Sequence, residues 1–70
     1  MLAAMRDRLD EIRAALHAAS DREEQWLRAA IVLAQGNAPE ENIEEAYTRH
    51  SQARINLERL LREYSAALPD

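Results

Sequence analysis

Apolar residues recur through the first third of the chain as Leu2, Met5, Leu9, Ile12, Leu16 and Ala19, alternately three and four residues apart. That spacing holds one stripe in line along an α-helix and predicts packing against a second helix. The next position on the stripe is Glu23, which interrupts it. Ser20-Asp21-Arg22-Glu23 also has the form of a capping box, in which the hydroxyl takes the third helical amide and the carboxylate reaches back. Two readings are open: one helix over about residues 3 to 35, or a short helix ending near Ala19 and a second starting at Ser20.

Beyond Ser20 the apolar positions thicken into Trp26, Leu27, Ala30, Ile31, Val32, Leu33 and Ala34. This is wider than the stripe one neighbour can bury, so cover on two sides is expected. The run ends at Gln35-Gly36-Asn37-Ala38-Pro39-Glu40-Glu41. Gly36 suits the left-handed position that closes a helix, and Asn37 suits the cap of the next one. Pro39 tolerates the missing first-turn amide, while Glu40 and Glu41 favour the positive end of the helix dipole. The last helix is expected over about residues 38 to 67, with Ile43, Ala46, Tyr47, His50, Ala53, Leu57, Leu60, Leu61 and Tyr64 on one broad face. Ile55 falls off that face. Glu45 with Arg49, and Glu58 with Arg62, stand at the i, i+4 spacing that supports a helix weakly, and Pro69 and Asp70 are expected to fray. The pattern predicts an all-α chain, a single helical hairpin domain over residues 1–70, antiparallel and of coiled-coil character, with two or three helices.

Composition sharpens this picture. A 70-residue chain buries only about 60% of the surface its unfolded form exposes, so its core is thin and help from disulfides, metals or association is usual. With no cysteine, the first of these is excluded, and a reducing compartment fits. The net charge of −4 argues against a general polyanion-binding surface, and nucleic acid is not an expected partner. The longest apolar run, Ala29 to Ala34, is far short of the roughly 20 residues a membrane span needs. Charges at Arg6, Asp7 and Arg8 arrive before the apolar core of a secretory leader could form, so a cytoplasmic location is expected.

Catalytic or cofactor chemistry finds little to rest on. His17 and His50 lie outside any metal-binding helical spacing; His50, on the apolar face, is expected to bond a neighbouring carbonyl, and His17 to lie at the surface. Ser20, Ser51 and Ser65 lack an evident base and orienting acid, and a hairpin offers no deep pocket in which to shift a pKa. Glu40, Glu41, Glu44 and Glu45 are acids at a helix start. No enzyme activity, metal or cofactor is expected. The remaining candidates are contact residues: Trp26, Ile31, Tyr47 and Leu57 on one side, and Val32 and Ile55 on another. Trp26 and Tyr47 are each read as core somewhat ahead of interface anchor.

Leu33-Ala34-Gln35-Gly36-Asn37-Ala38-Pro39-Glu40, followed by Tyr47-Thr48-Arg49-His50-Ser51-Gln52-Ala53 and by Leu60-Leu61, resembles the small co-chaperones of type III secretion needle proteins. That family has a similar glycine turn followed by proline near mid-chain and an aromatic-x-Arg-x-Ser-x-Ala stretch in its last helix. The resemblance implies a bacterial cytoplasmic co-chaperone without enzymatic activity. It would form a heterodimer with a larger tetratricopeptide-like chaperone subunit, the two keeping the needle subunit soluble and monomeric before export. The rival expectation is self-association into a homodimeric four-helix bundle, a plasmid or phage type of regulator that binds a host protein, or RNA through Arg49, Arg54, Arg59 and Arg62.

Overall fold

The computed structural model describes the backbone of residues 2–68 and the side chains of residues 6–68. The expected places of Leu2 and Met5 on the stripe, and the fraying of Pro69 and Asp70, lie outside the described side chains. Two helices, α1 over Leu2–Gln35 and α2 over Glu40–Ala67, fold back on each other as an antiparallel hairpin. The result is a rod of 54 × 14 × 14 Å.

α1 is continuous through Ser20, so the three-helix alternative is set aside. The physical reason lies at Glu23. Its carboxylate does not reach back along its own helix to form a capping box but crosses the hairpin, where His50 Nε2 donates to Glu23 Oε1 at 2.7 Å. The position that looked like a break in the stripe is therefore a member of it. From Leu9 the seam of α1 runs Leu9, Ile12, Leu16, Ala19, Glu23, Trp26, Ala30 and Leu33, all buried or half-buried. Its counterpart in α2 runs Ile43, Ala46, His50, Ala53, Leu57, Leu60, Tyr64 and Ala67, again buried or half-buried. Both keep the alternating three- and four-residue steps of an antiparallel coiled coil without interruption. His50 bonds this carboxylate and not the backbone carbonyl expected from sequence.

Small residues set the spacing of the two helices. The best-buried side chains are Ile12, Ala19, Ala46, Ala53 and Leu60, three of them alanines, whose methyl groups let the backbones approach closely while filling little volume. The core is thus narrow. No large side chain among the described residues is fully buried, in keeping with the surface-to-volume limit on so short a chain.

The turn departs from expectation in its details. Gly36 continues the α1 ladder, its amide donating to the Val32 carbonyl at 2.9 Å, and its φ is not positive. Asn37 takes the left-handed conformation instead, at φ 57°. The next amide, Ala38, turns back to the Leu33 carbonyl at 3.0 Å, the six-to-one bond that satisfies a helix-end carbonyl. Asn37 therefore closes α1 and does not cap α2. Pro39 stands at the cap position of α2 without any side-chain bond, and its carbonyl receives Asn42 at 3.0 Å. α2 accordingly starts at Glu40, with Glu40 and Glu41 in its first turn as expected.

Candidate protein-interaction surface

The seam divides the rod into two unlike sides. Residues one step beyond Ile12, Ala19, Trp26 and Leu33, and one step beyond Ala46, Ala53, Leu60 and Ala67, lie on one side: Arg13, Ser20, Leu27 and Ala34 from α1, with Tyr47, Arg54, Leu61 and Leu68 from α2. Residues one step before the seam lie on the other: Ala15, Arg22 and Ala29 from α1, with Asn42, Arg49, Asn56 and Glu63 from α2. Surface depressions follow this division. Arg13, Leu16, Ser20, Leu57, Leu61 and Tyr64 line one on the first side, and Arg22, Trp26, Arg49 and Asn56 line one on the second.

Exposed apolar surface is concentrated on the first side. Leu27, Ile31, Tyr47, Leu61 and Leu68 are all exposed there, Ile31 standing one helical turn beyond Leu27. Tyr47 leaves 66% of its surface in water and Leu61 50%. The expected second cover over residues 26–34 is absent from the single chain, because α2 reaches only the seam and leaves Leu27, Ile31 and Val32 open. Large apolar side chains grouped on one face of an otherwise charged rod make that face the candidate contact surface.

The six candidate contact residues separate into three groups. Trp26 and Leu57 are half-buried in the seam itself. Ile31 and Tyr47 share the apolar side with Leu27, Leu61 and Leu68, three residues the sequence reading did not select. Val32 and Ile55, 64% and 65% exposed, belong to neither flank: Ile55 lies on the outer back of α2 and Val32 toward the polar side of α1. They do not form one surface. Leu61 was legible only through its place immediately after Leu60 on the seam, a flank position that a one-stripe reading merges with the core.

Charge on the two sides is mostly spent locally. Arg49 lies 3.6 Å from Glu45, Arg54 3.3 Å from Glu58, and Arg59 2.9 Å from Glu63. Glu58 thus pairs with Arg54 and not with Arg62 as its spacing suggested. These arginines do not present a bare basic row, since each has a carboxylate within one helical turn. Arg13 is tied across the hairpin: it donates to the Tyr64 hydroxyl oxygen at 3.1 Å and lies 6.0 Å from the ring centre. The hydrogen bond to Tyr64 raises its pKa above an already alkaline value, so its charge is permanent. Arg49 stacks in the same manner over Trp26 at 5.6 Å, roofing the ring on the polar side.

Among the described residues no cluster of ligating side chains that could hold a metal ion occurs, and no helix is long and apolar enough to cross a membrane. No family model matches the sequence, and comparison with curated proteins and with solved structures finds no match.

Proposed function

We propose that this chain is a protein-binding adaptor, and more specifically a co-chaperone of the type III secretion kind that pairs with a tetratricopeptide-like chaperone subunit and helps keep the needle subunit monomeric before export. One observation carries the general reading: Leu27, Ile31, Tyr47 and Leu61 stand in water on one side of the rod, whereas the other side is mainly polar, with Val32 at its edge. A partner helix laid along that side converts a two-helix seam into a three-helix one and supplies the second cover that residues 26–34 call for. The resemblance around Gly36-Asn37-Ala38-Pro39 and Tyr47 to Ala53 supports the specific form. Because folding of so thin a core is coupled to whatever covers its surface, the partner would stabilise the chain by mass action.

The test is co-expression with the tetratricopeptide-like chaperone and needle subunit of the same genome. The reading expects a stable complex of the three, needle subunit that stays monomeric only when this chain is present, and loss of the complex on Ile31→Glu. Failure to form any complex with the chaperone, or needle polymerisation indifferent to this chain, overturns it.

A further inference from the structure

The apolar side also fits a second copy of this chain. We infer that, without another partner, two hairpins pair through it head to tail around a two-fold axis, forming an antiparallel four-helix bundle. This goes beyond the adaptor reading and does not depend on it, since it concerns what covers the face in the isolated protein.

Three features of the surface lead there. The first is its layout. Apolar bulk occurs in two clusters: Leu16, Leu57 and Leu61 toward the end that holds the termini, and Leu27, Ile31 and Tyr47 toward the turn. The register set by Glu23 and His50 puts Ser20 and Ser51 midway between them, two small side chains at the place where a two-fold axis needs close approach. Turning a copy end over end about that point lays each cluster on the other kind, as an isologous interface requires.

The second is charge. On this side the turn end carries Glu40 and Glu44, with Glu24 nearer the middle paired to Arg28 at 3.0 Å, and the terminal end carries Arg6 and an Arg13 that lies 4.0 Å from Asp10. Arg54 and Glu58 near the middle already pair with each other. Head-to-tail packing brings the acidic end of one copy beside the arginines of the other, whereas packing with turns together would set acid on acid.

The third is size. The whole side of a rod 54 Å long and 14 Å wide has an outline on the order of 750 Å², so a copy laid along its full length can approach the roughly 800 Å² per partner of a standard stable interface.

Sedimentation equilibrium on the full chain tests this, together with cysteine pairing made clean by the natural absence of cysteine. The inference expects a dimer at tens of micromolar and a covalent dimer from Ser20→Cys on mild oxidation. In a mixture, Leu61→Cys should couple to Tyr47→Cys, which lies on the facing copy of the same helix, more readily than to itself. Ile31→Glu should keep the helical circular dichroism while weakening the dimer at least about tenfold. A monomer up to hundreds of micromolar overturns it, as does a dimer indifferent to Ile31→Glu. Leu61→Cys coupling mainly to itself overturns the head-to-tail arrangement. A chain that is monomeric alone but uses this face for the tetratricopeptide-like chaperone assigns the face to that partner and removes the second copy.

Discussion

Glu23 and His50, 27 positions apart in sequence, meet at 2.7 Å in the middle of an otherwise apolar seam. Their side chains are only 25% and 14% exposed, so each is the main polar neighbour the other has. A half-buried polar pair at one seam position contributes less to net stability than to register, because sliding either helix by a turn leaves both groups facing hydrocarbon.

This gives a double-mutant cycle with a definite sign. Glu23→Ala and His50→Ala should each lose about 1 to 2 kcal/mol in urea unfolding, since each strands a partly buried polar partner. The cycle should show a coupling of about 1 kcal/mol between them. Replacing both by leucine is expected to leave the hairpin as stable as the parent or more so. Independent effects of the two single changes would mean that the contact is incidental.

How much of this was legible in the sequence can be argued from the same pair. The α1 stripe was visible as alternating steps of three and four as far as Ala19, the α2 seam only within a broader face that also held Tyr47 and Leu61, and the hairpin followed from these and from the Gly36–Pro39 turn. What local pattern could not supply was the far partner: Glu23 reads as a break or a cap when only its neighbours are considered, and becomes a seam residue once His50 is placed opposite. The exposed apolar face was legible only in part for a related reason. Ile31 and Tyr47 stand out as apolar bulk beside the stripe, but deciding that Leu61 joins them while Ile55 does not requires the relative rotation of two helices, which neither helix encodes by itself.

Asn37 and Gly36 separate two accounts of the turn. Since Asn37 holds the left-handed conformation and Gly36 does not, Asn37→Ala should cost about 1 kcal/mol and Asn37→Gly should be neutral or stabilising. Gly36→Ala should give a small net change, because the helix-favouring methyl group would also sit tightly, 3.3 Å from the Val32 carbonyl oxygen and 4.0 Å from that of Leu33. Thermal melts of the three variants decide the point. A large loss at Gly36 with none at Asn37 would return the left-handed position to the glycine.

The alanine contacts make a second packing test. Ala46 is only 3% exposed, so Ala46→Leu should cost about 1 to 3 kcal/mol by forcing the helices apart. At Leu60, 9% exposed, truncation to alanine should cost about 2 to 4 kcal/mol. Leu57, half-buried at the edge of the apolar groove, should lose less than Leu60 on the same change. Urea midpoints at unchanged m-value are the readout, and an equal loss at Leu57 and Leu60 would indicate that the groove is already covered, as self-association would make it.

Trp26 reports on the polar side without any added probe. Arg49 lies over its ring at 5.6 Å while also standing 3.6 Å from Glu45, so its contribution divides between shielding the indole and pairing with the carboxylate. Exposed stacking of this kind is worth about 0.5 to 1 kcal/mol, and the surface ion pair less. Arg49→Ala should therefore destabilise the hairpin by about 0.5 to 1 kcal/mol and shift the tryptophan emission to the red as water reaches the ring. Arg49→Met keeps an aliphatic cover and should shift it less. Glu45→Gln removes only the carboxylate's charge and should leave the emission unchanged. If Glu45→Gln moves the spectrum as far as Arg49→Ala, the ion pair and not the stacking holds the guanidinium in place, and the side chain over Trp26 is positioned from α2 alone.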